Sequence, residues 1–92
     1  MITPVISEIQ VVPILPQNGL VAFASITFDS CLRLGSIGIF TRPQGGYRLT
    51  YPTRNKLNVF YPINREVAGL IEEAVIAKYE EVIKLGDKEN DL

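Results

Sequence analysis

The hydrophobic pattern of this chain changes once, at Pro62, and that change limits the fold to a sheet followed by a helix. Before Pro62, apolar and polar residues alternate in runs that turn residues separate, which is the pattern of half-buried β-strands. After Pro62, apolar residues recur every three or four positions, which is the period of an amphipathic helix. We therefore predict an α+β fold, with a small antiparallel sheet of about five strands and one C-terminal α-helix packed on it.

The strands are bounded by proline, glycine and asparagine. Asn18-Gly19 predicts a hairpin turn, because Asn-Gly readily takes positive φ. Pro13 donates no ladder hydrogen bond, so the first strand lies at an edge or ends near Val12. Apolar residues fall on both faces of the second strand, so it is central or covered on its second side. The predicted strands are Ile6–Ile14, Leu20–Phe28, Cys31–Phe40, Tyr47–Tyr51 and Leu57–Tyr61.

The third strand contains a conflict of register. Leu32 and Leu34 occupy even positions, whereas Ile37 and Ile39 occupy odd positions, so a regular strand would place the two pairs on opposite faces. A β-bulge at Gly35-Ser36 would bring these apolar residues to one face, and glycine inside a strand often marks such a bulge. We predict the bulge in preference to a strand that buries Arg33.

The helix has clear end signals. Asn64 is predicted to cap its N-terminus, Glu66 suits the first turn, and Gly86 is predicted to end it. We predict one domain over residues 1–86 and a polar tail over residues 87–92. The stripe expected to pack on the sheet is Val67, Leu70, Ile71, Ala74, Val75 and Val82.

A second apolar set lies on the other side of the predicted helix. Ile76, Tyr79 and Ile83 stand at i, i+3 and i+7 among glutamates, and a monomer would leave them exposed. Isolated exposed apolar residues are normal, which is the alternative. Three aligned ones on a chain of 92 residues favour a homodimer interface.

The inventory of reactive residues argues against catalysis. The chain has no histidine and one cysteine, Cys31, which excludes an intrachain disulfide, a Cys-His zinc site and the usual nucleophile-histidine dyads. Glu72-Glu73 and Glu80-Glu81 fit a solvated helix face, and Gly45-Gly46 is too short for a phosphate loop. We predict no enzymatic activity, no metal, no cofactor and no small-molecule substrate.

Composition places the chain among ordinary globular domains. Hydrophobic residues make up 47% and charged residues 21%, so a disordered tail is excluded. No apolar run reaches the roughly 18 residues of a membrane-spanning helix. The start lacks the basic and apolar regions of a signal peptide. These features predict a cytoplasmic protein without a membrane partner.

Charge is divided along the chain. Residues 1–65 contain six basic and two acidic residues, a net charge of +4, and residues 66–92 have a net charge of −5. Basic side chains in two loops, with tyrosines nearby, are the candidate contacts to DNA or RNA phosphates. The alternative is that they are ordinary surface cations beside core tyrosines. The candidates are Arg54, Lys56, Arg48 and Arg42.

Several segments together resemble one protein family. The run VAFASITFD at residues 21–29 resembles the second-strand motif of the stage V sporulation protein G (septation regulator) family. Ile37–Phe40, Pro52–Arg54 and Tyr61–Asn64 follow in the family's order. The likeness extends from about Ile6 to Val82. In this chain Thr53-Arg54 replaces two adjacent basic residues, the loop before Pro62 is short, and Gly38 stands where a basic residue is common.

The resemblance implies a small antiparallel sheet with one C-terminal helix that forms a homodimer. It also implies a bacterial cytoplasmic regulator of septation, sporulation or virulence genes that binds DNA or RNA. The family's basic stretch maps onto Arg54, with Lys56 two residues later. The alternative hypothesis is a protein–protein interaction module that acts through the helix surface or a sheet edge.

Overall fold

The computed structural model describes residues 3–90, with side chains described through residue 85. Four strands form one antiparallel sheet in the order β1-β2-β3-β4, and two short strands form a separate hairpin before the helix. This arrangement confirms the predicted α+β class. The elements are β1 (Ile6–Gln17), β2 (Leu20–Phe28), β3 (Leu32–Thr41), β4 (Tyr47–Thr50), β5 (Thr53–Arg54), β6 (Leu57–Asn58) and α1 (Arg65–Asn90).

Local turn chemistry explains the order of the main sheet. Asn18 (φ 53°) and Gly19 (φ 91°) form the predicted hairpin turn between β1 and β2. Strand β1 lies at the edge of the sheet and pairs with β2 alone. Pro13 and Pro16 can lie within it because no second neighbouring strand needs a hydrogen bond from their nitrogens. Strand β2 is central, as its apolar residues on both faces predict.

The predicted bulge in β3 is confirmed. Ala24 pairs with Ile37 and Ile26 pairs with Leu34, so β3 contains one residue more than β2 over this stretch. Ser36 takes a φ of 59°, the conformation that absorbs the extra residue. As a result Leu34, on one side of the bulge, and Ile37, on the other, both contribute to the core on the helix side of the sheet.

A second bulge, in β1, lies opposite the first across β2. Ser7 pairs with Thr27 and Gln10 with Ser25, which leaves one extra residue in β1 beside Glu8 (φ 46°). The guanidinium of Arg33 joins the three strands at this level. It donates to the Glu8 carbonyl oxygen, to Thr27 Oγ1 at 2.9 Å and to Ser25 Oγ at 2.8 Å. Arg33 is exposed and lies on the face of the sheet away from α1, which we call the open face.

The core lies between the other face of the sheet and α1. Val67, Ile71, Val75, Tyr79 and Ile83, spaced four residues apart, form the helix side of the core. Each step of four residues rotates the contact line by about 40°, so the helix crosses the twisted sheet obliquely. The buried residues are Ala22, Ala24, Ile26, Ile37, Ile39, Ile71, Val75 and Tyr79.

This winding corrects the expected exposure of the second helix stripe. Tyr79 is only 8% exposed, and its ring packs edge-to-face on Tyr47 with 5.1 Å between the centroids. Ile83 also packs against the core. The prediction that a monomer exposes these two residues is wrong, because it assumed a straight stripe along the helix.

The helix begins as predicted and ends later. Asn64 Oδ1 accepts hydrogen bonds from the amides of Glu66 at 2.7 Å and Val67 at 3.3 Å, which confirms the cap. The prediction that Gly86 ends the helix is wrong, because the helix continues to Asn90. Residues 87–90 contain no proline to stop it. Residues 91 and 92 of the predicted tail lie outside the described range. Within residues 3–90, α1 is too polar to cross a membrane.

The burial of Tyr79 predicts a loss of stability at alkaline pH. Burial raises the pKa of Tyr79 above its ordinary 10.0, and Tyr47 adds to the rise. Well below pH 10 both folded and unfolded chains keep the proton, so the contribution to stability is fully present. As pH rises towards the folded pKa the unfolded chain loses the proton first, and stability falls. Tyr79→Phe is expected to flatten this fall in a series of Tm values above pH 9; an unchanged fall would contradict it.

Candidate nucleic-acid interface

Arg54 and Lys56 lie together on the small β5–β6 hairpin. Asn55 (φ 52°) and Lys56 (φ 67°) form its turn, and the Val59 N–H donates a hydrogen bond of 2.9 Å to the Pro52 carbonyl oxygen at its base. Both cationic side chains are exposed, and neither forms an ion pair with another described residue. The hairpin therefore presents two cations to solvent on a short, fixed backbone.

The sequence around this hairpin contains no acidic residue. Residues 30–65 include no Asp or Glu, so every charge that the segment itself carries is positive. The basic residues in this segment are Arg33, Arg42, Arg48, Arg54, Lys56 and Arg65.

Arg42 and Arg48 lie at the β3–β4 hairpin and face in different directions. The Arg48 guanidinium carbon is 4.6 Å from the centroid of the Phe40 ring, a cation–π contact on the open face of the sheet. Arg42 Nε donates to the Tyr47 carbonyl at 3.1 Å, and its Nη2 is 4.0 Å from Glu72 Oε1 on α1. The helix carboxylate therefore offsets part of the Arg42 charge and leaves Arg48 as the more available cation.

The four predicted cations form two pairs that β4 separates. Arg48 is the second residue of β4, whereas Arg54 lies beyond the other end of that strand. Four strand residues span about 13 Å. The arrangement can contact phosphates at two separated points, and such contacts fix position without reading sequence.

The open face of the main sheet carries residues that sequence reasoning did not single out. Phe23, in the central strand, is 42% exposed, and Phe40 lies beneath Arg48. The apolar residues on both faces of β2 predicted a central or covered strand, so they did not identify Phe23 as accessible. Arg48 on this face is one of the predicted cations, and the acid-free segment was the available signal for Arg33.

Gly38 pairs with Phe23 and lies two residues before Phe40, where a side chain would force its neighbours to move. A Cβ at this position would lie 2.6 Å from Thr50 Oγ1 and 3.3 Å from side-chain atoms of Leu20 and Phe40. A basic residue, which is common at this position in the family that the chain resembles, would therefore displace these three side chains. In this chain the open face is cationic through Arg33 and Arg48 instead.

An apolar cavity of about 320 Å³ lies between the end of the sheet and the start of α1. Tyr51 and Phe60 form one wall, edge-to-face at 5.8 Å, and burial, with a smaller effect of Glu72, raises the pKa of Tyr51. Tyr61 and Ile63 are exposed apolar residues at the margin of this cavity, and Leu57 and Val59 in the preceding segment are exposed as well.

Of the three residues predicted for a dimer interface, Ile76 alone remains on the outer side of α1. It lies half-buried in a shallow groove with Gly69 and Ala77, and three glutamates border that groove. A two-fold contact centred on Ile76 would bring like charges together. The glutamates are Glu72, Glu73 and Glu80.

These features define the class of protein: a four-stranded antiparallel sheet backed by one helix, with cationic hairpins at its margin. The SpoVG family model matches residues 5–81. The chain therefore belongs to the SpoVG family, which confirms the resemblance seen in its motifs. Membership supports a regulatory role.

The chain is similar to bacterial relatives each named "Putative septation protein SpoVG". The relative from Caldicellulosiruptor saccharolyticus is 30% identical over 87 residues, covering 89% of this chain and 98% of the relative. The relative from Treponema denticola is 32% identical over 80 residues, covering 82% and 85%. The relative from Phytoplasma australiense is 26% identical over 83 residues, covering 85% of each.

Proposed function

We propose that this protein is a non-enzymatic bacterial regulator of the septation type that binds DNA or RNA through the β5–β6 hairpin and Arg48. The observation that carries the proposal is the exposed Arg54–Lys56 pair within a segment of 36 residues (30–65) that has no carboxylate. The names of the relatives support the link to septation.

The chemistry of the hairpin suits phosphate rather than base recognition. Guanidinium and ammonium groups form charge-assisted hydrogen bonds to phosphate oxygens. Such contacts release counterions, so the affinity falls as salt rises. With three available cations (Arg48, Arg54 and Lys56), we expect weak binding with little dependence on sequence.

Binding of labelled oligonucleotides across a salt series tests the proposal. For duplex DNA, three phosphate contacts predict a slope of log affinity against log salt of about −2.7, or about a 40-fold loss between 50 and 200 mM salt. Single strands predict a slope of about −2.1. Failure of the wild-type protein to bind either form at 50 mM salt would refute the proposal.

We further propose that the protein is a homodimer whose interface is the apolar surface beside the 320 Å³ cavity. Ile63 is 91% exposed at the margin of that cavity, so each copy offers a projecting side chain and a recess for its partner. A two-fold axis pairs such features reciprocally. The same surface favours the second candidate function, a protein–protein interaction module, whose partner would then be a different chain.

Sedimentation distinguishes this surface from the outer face of α1. Ile63→Glu would place a carboxylate in the proposed interface and is expected to yield a monomer. Ile76→Glu, the matched variant on the helix, is expected to leave the dimer intact. A dimer that persists in Ile63→Glu and dissociates in Ile76→Glu would move the interface to the helix. A monomeric wild-type protein would refute dimerisation.

A further inference from the structure

We propose that the open face of the main sheet is a stacking site for unpaired bases of single-stranded nucleic acid, centred on Phe23. The inference rests on the proposed function and specifies its substrate: a strand whose bases are accessible, in preference to a duplex. It concerns the face of the sheet opposite α1, separate from the β5–β6 hairpin.

The aromatic ring stands beside a recess of suitable size. Phe23 is 42% exposed in the central strand, where it pairs with Val12 on one side and Gly38 on the other. A depression of about 300 Å³ adjoins it, large enough for a nucleobase. Its lining residues are Gln10, Val12, Phe23, Ala24, Ser25 and Ser36.

The two bulges shape the polar side of this recess. Gln10 resumes the pairing of β1 after its bulge, and Ser36 is the bulged residue of β3. The Gln10 amide can donate and accept, and the two serine hydroxyls can do the same. The recess therefore combines an aromatic surface for the face of a base with hydrogen-bonding groups for its edge.

The charge of the open face selects a polyanion as the occupant. Arg33 and Arg48 lie on this face, and Arg48 covers a second aromatic ring, Phe40, at 4.6 Å. Between residues 6 and 50 the only acids are Glu8 and Asp29. The Glu8 carboxylate lies on this face, where its Oε2 accepts from Thr27 Oγ1 at 3.1 Å, so Arg33, Arg48 and Glu8 together give the face a net charge of +1. Aromatic rings beside cations bind single strands, because each base has a π-face to stack while the cations follow the phosphates.

A tryptophan in place of Phe23 provides a direct readout. The chain contains no tryptophan, so Phe23→Trp introduces a single tryptophan, whose emission can be excited selectively over that of the four tyrosines. We expect its emission to be quenched by oligo(dT) or oligo(rU) and to change far less with a duplex of equal length. Leu85→Trp, at a 54% exposed side chain of α1 outside both proposed interfaces, is the matched control and should show little quenching.

Affinity measurements supply a second readout. Stacking contributes about 1–3 kcal/mol per base, so Phe23→Ala is expected to weaken single-strand binding about 5- to 150-fold without changing the salt slope. Phe23→Leu keeps an apolar side chain on the strand and is expected to weaken binding similarly, which separates loss of stacking from loss of folding.

Three results would overturn the inference. If single strands bind while the emission of the Phe23→Trp variant and the affinity of the Phe23→Leu variant stay unchanged, the stacking site is wrong and the proposed function stands. If no oligonucleotide binds, both fail. If the emission of the Phe23→Trp variant shifts with protein concentration alone, a second copy of the chain covers this face instead.

Discussion

Replacing Ile39 with alanine is expected to lower the free energy of unfolding by about 2–5 kcal/mol. Ile39 is fully buried in β3, where it pairs with Ala22 on one side and Leu49 on the other. Truncation removes apolar contacts and leaves a cavity that neighbouring strands cannot close. Urea denaturation should show a lower midpoint with an unchanged m-value.

The control for this prediction is Ile63→Ala. Ile63 is the same residue type at 91% exposure, and surface substitutions usually change stability by less than about 0.5 kcal/mol. The comparison is made at a protein concentration where the chain is monomeric, because Ile63 also belongs to the proposed interface. Equal midpoints for the two variants would show that the core is not where the structure places it.

Removing both charges of the β5–β6 hairpin is expected to weaken nucleic-acid binding and to reduce its salt dependence. Arg54→Ala/Lys56→Ala leaves Arg48 as the main phosphate contact, so the duplex slope should fall from about −2.7 to about −0.9. The ratio of the wild-type affinity to the affinity of the double variant should therefore fall about twelvefold as salt rises from 50 to 200 mM. Oligonucleotide anisotropy across the same salt series measures both slopes.

Lys78→Ala/Lys84→Ala is the matched control, because it removes two positive charges from α1. Lys78 already lies 3.5 Å from Glu81, and both lysines belong to the acidic part of the chain. The control is expected to retain the wild-type slope. Equal losses in the two double variants would show that net charge, and not the hairpin, determines binding.

Local sequence chemistry predicted much of the sheet. The Asn18-Gly19 turn, the edge position of β1 and the bulge at Gly35-Ser36 each follow from the conformational preferences of a few residues. The β5–β6 hairpin was expected as a basic loop followed by a longer strand. Its turn is Asn55-Lys56, which lacks the glycine that makes such turns recognisable in sequence.

The helix shows what periodicity alone does not determine. The pattern predicted the helix and its cap at Asn64, but the side of the helix that packs depends on how it crosses the sheet. Because the contact line winds around α1, Tyr79 and Ile83 are brought into the core and Ile76 stays outside. The crossing angle depends on the twist of the whole sheet, which no local pattern records.

The charged residues of the candidate site could be predicted from the sequence, but their contacts and the exposure of the aromatic residues could not. Arg54 and Lys56 were identified from their loop, and the structure places them together. The contact of Arg42 with Glu72 required the helix to be placed against the β3–β4 hairpin. The exposure of Phe23 could not be predicted, because the apolar residues on both faces of β2 do not show that α1 covers only one of them.

Backbone amide shifts during titration with a single-stranded oligonucleotide test whether the protein binds nucleic acid through its hairpins and the open face of the sheet. We predict that the perturbed amides lie in the β5–β6 hairpin, the β3–β4 hairpin and around Phe23, and that the outer face of α1 from Glu72 to Glu80 is unaffected. Perturbations confined to α1, or none with excess oligonucleotide at low salt, would show that nucleic acid does not bind these surfaces.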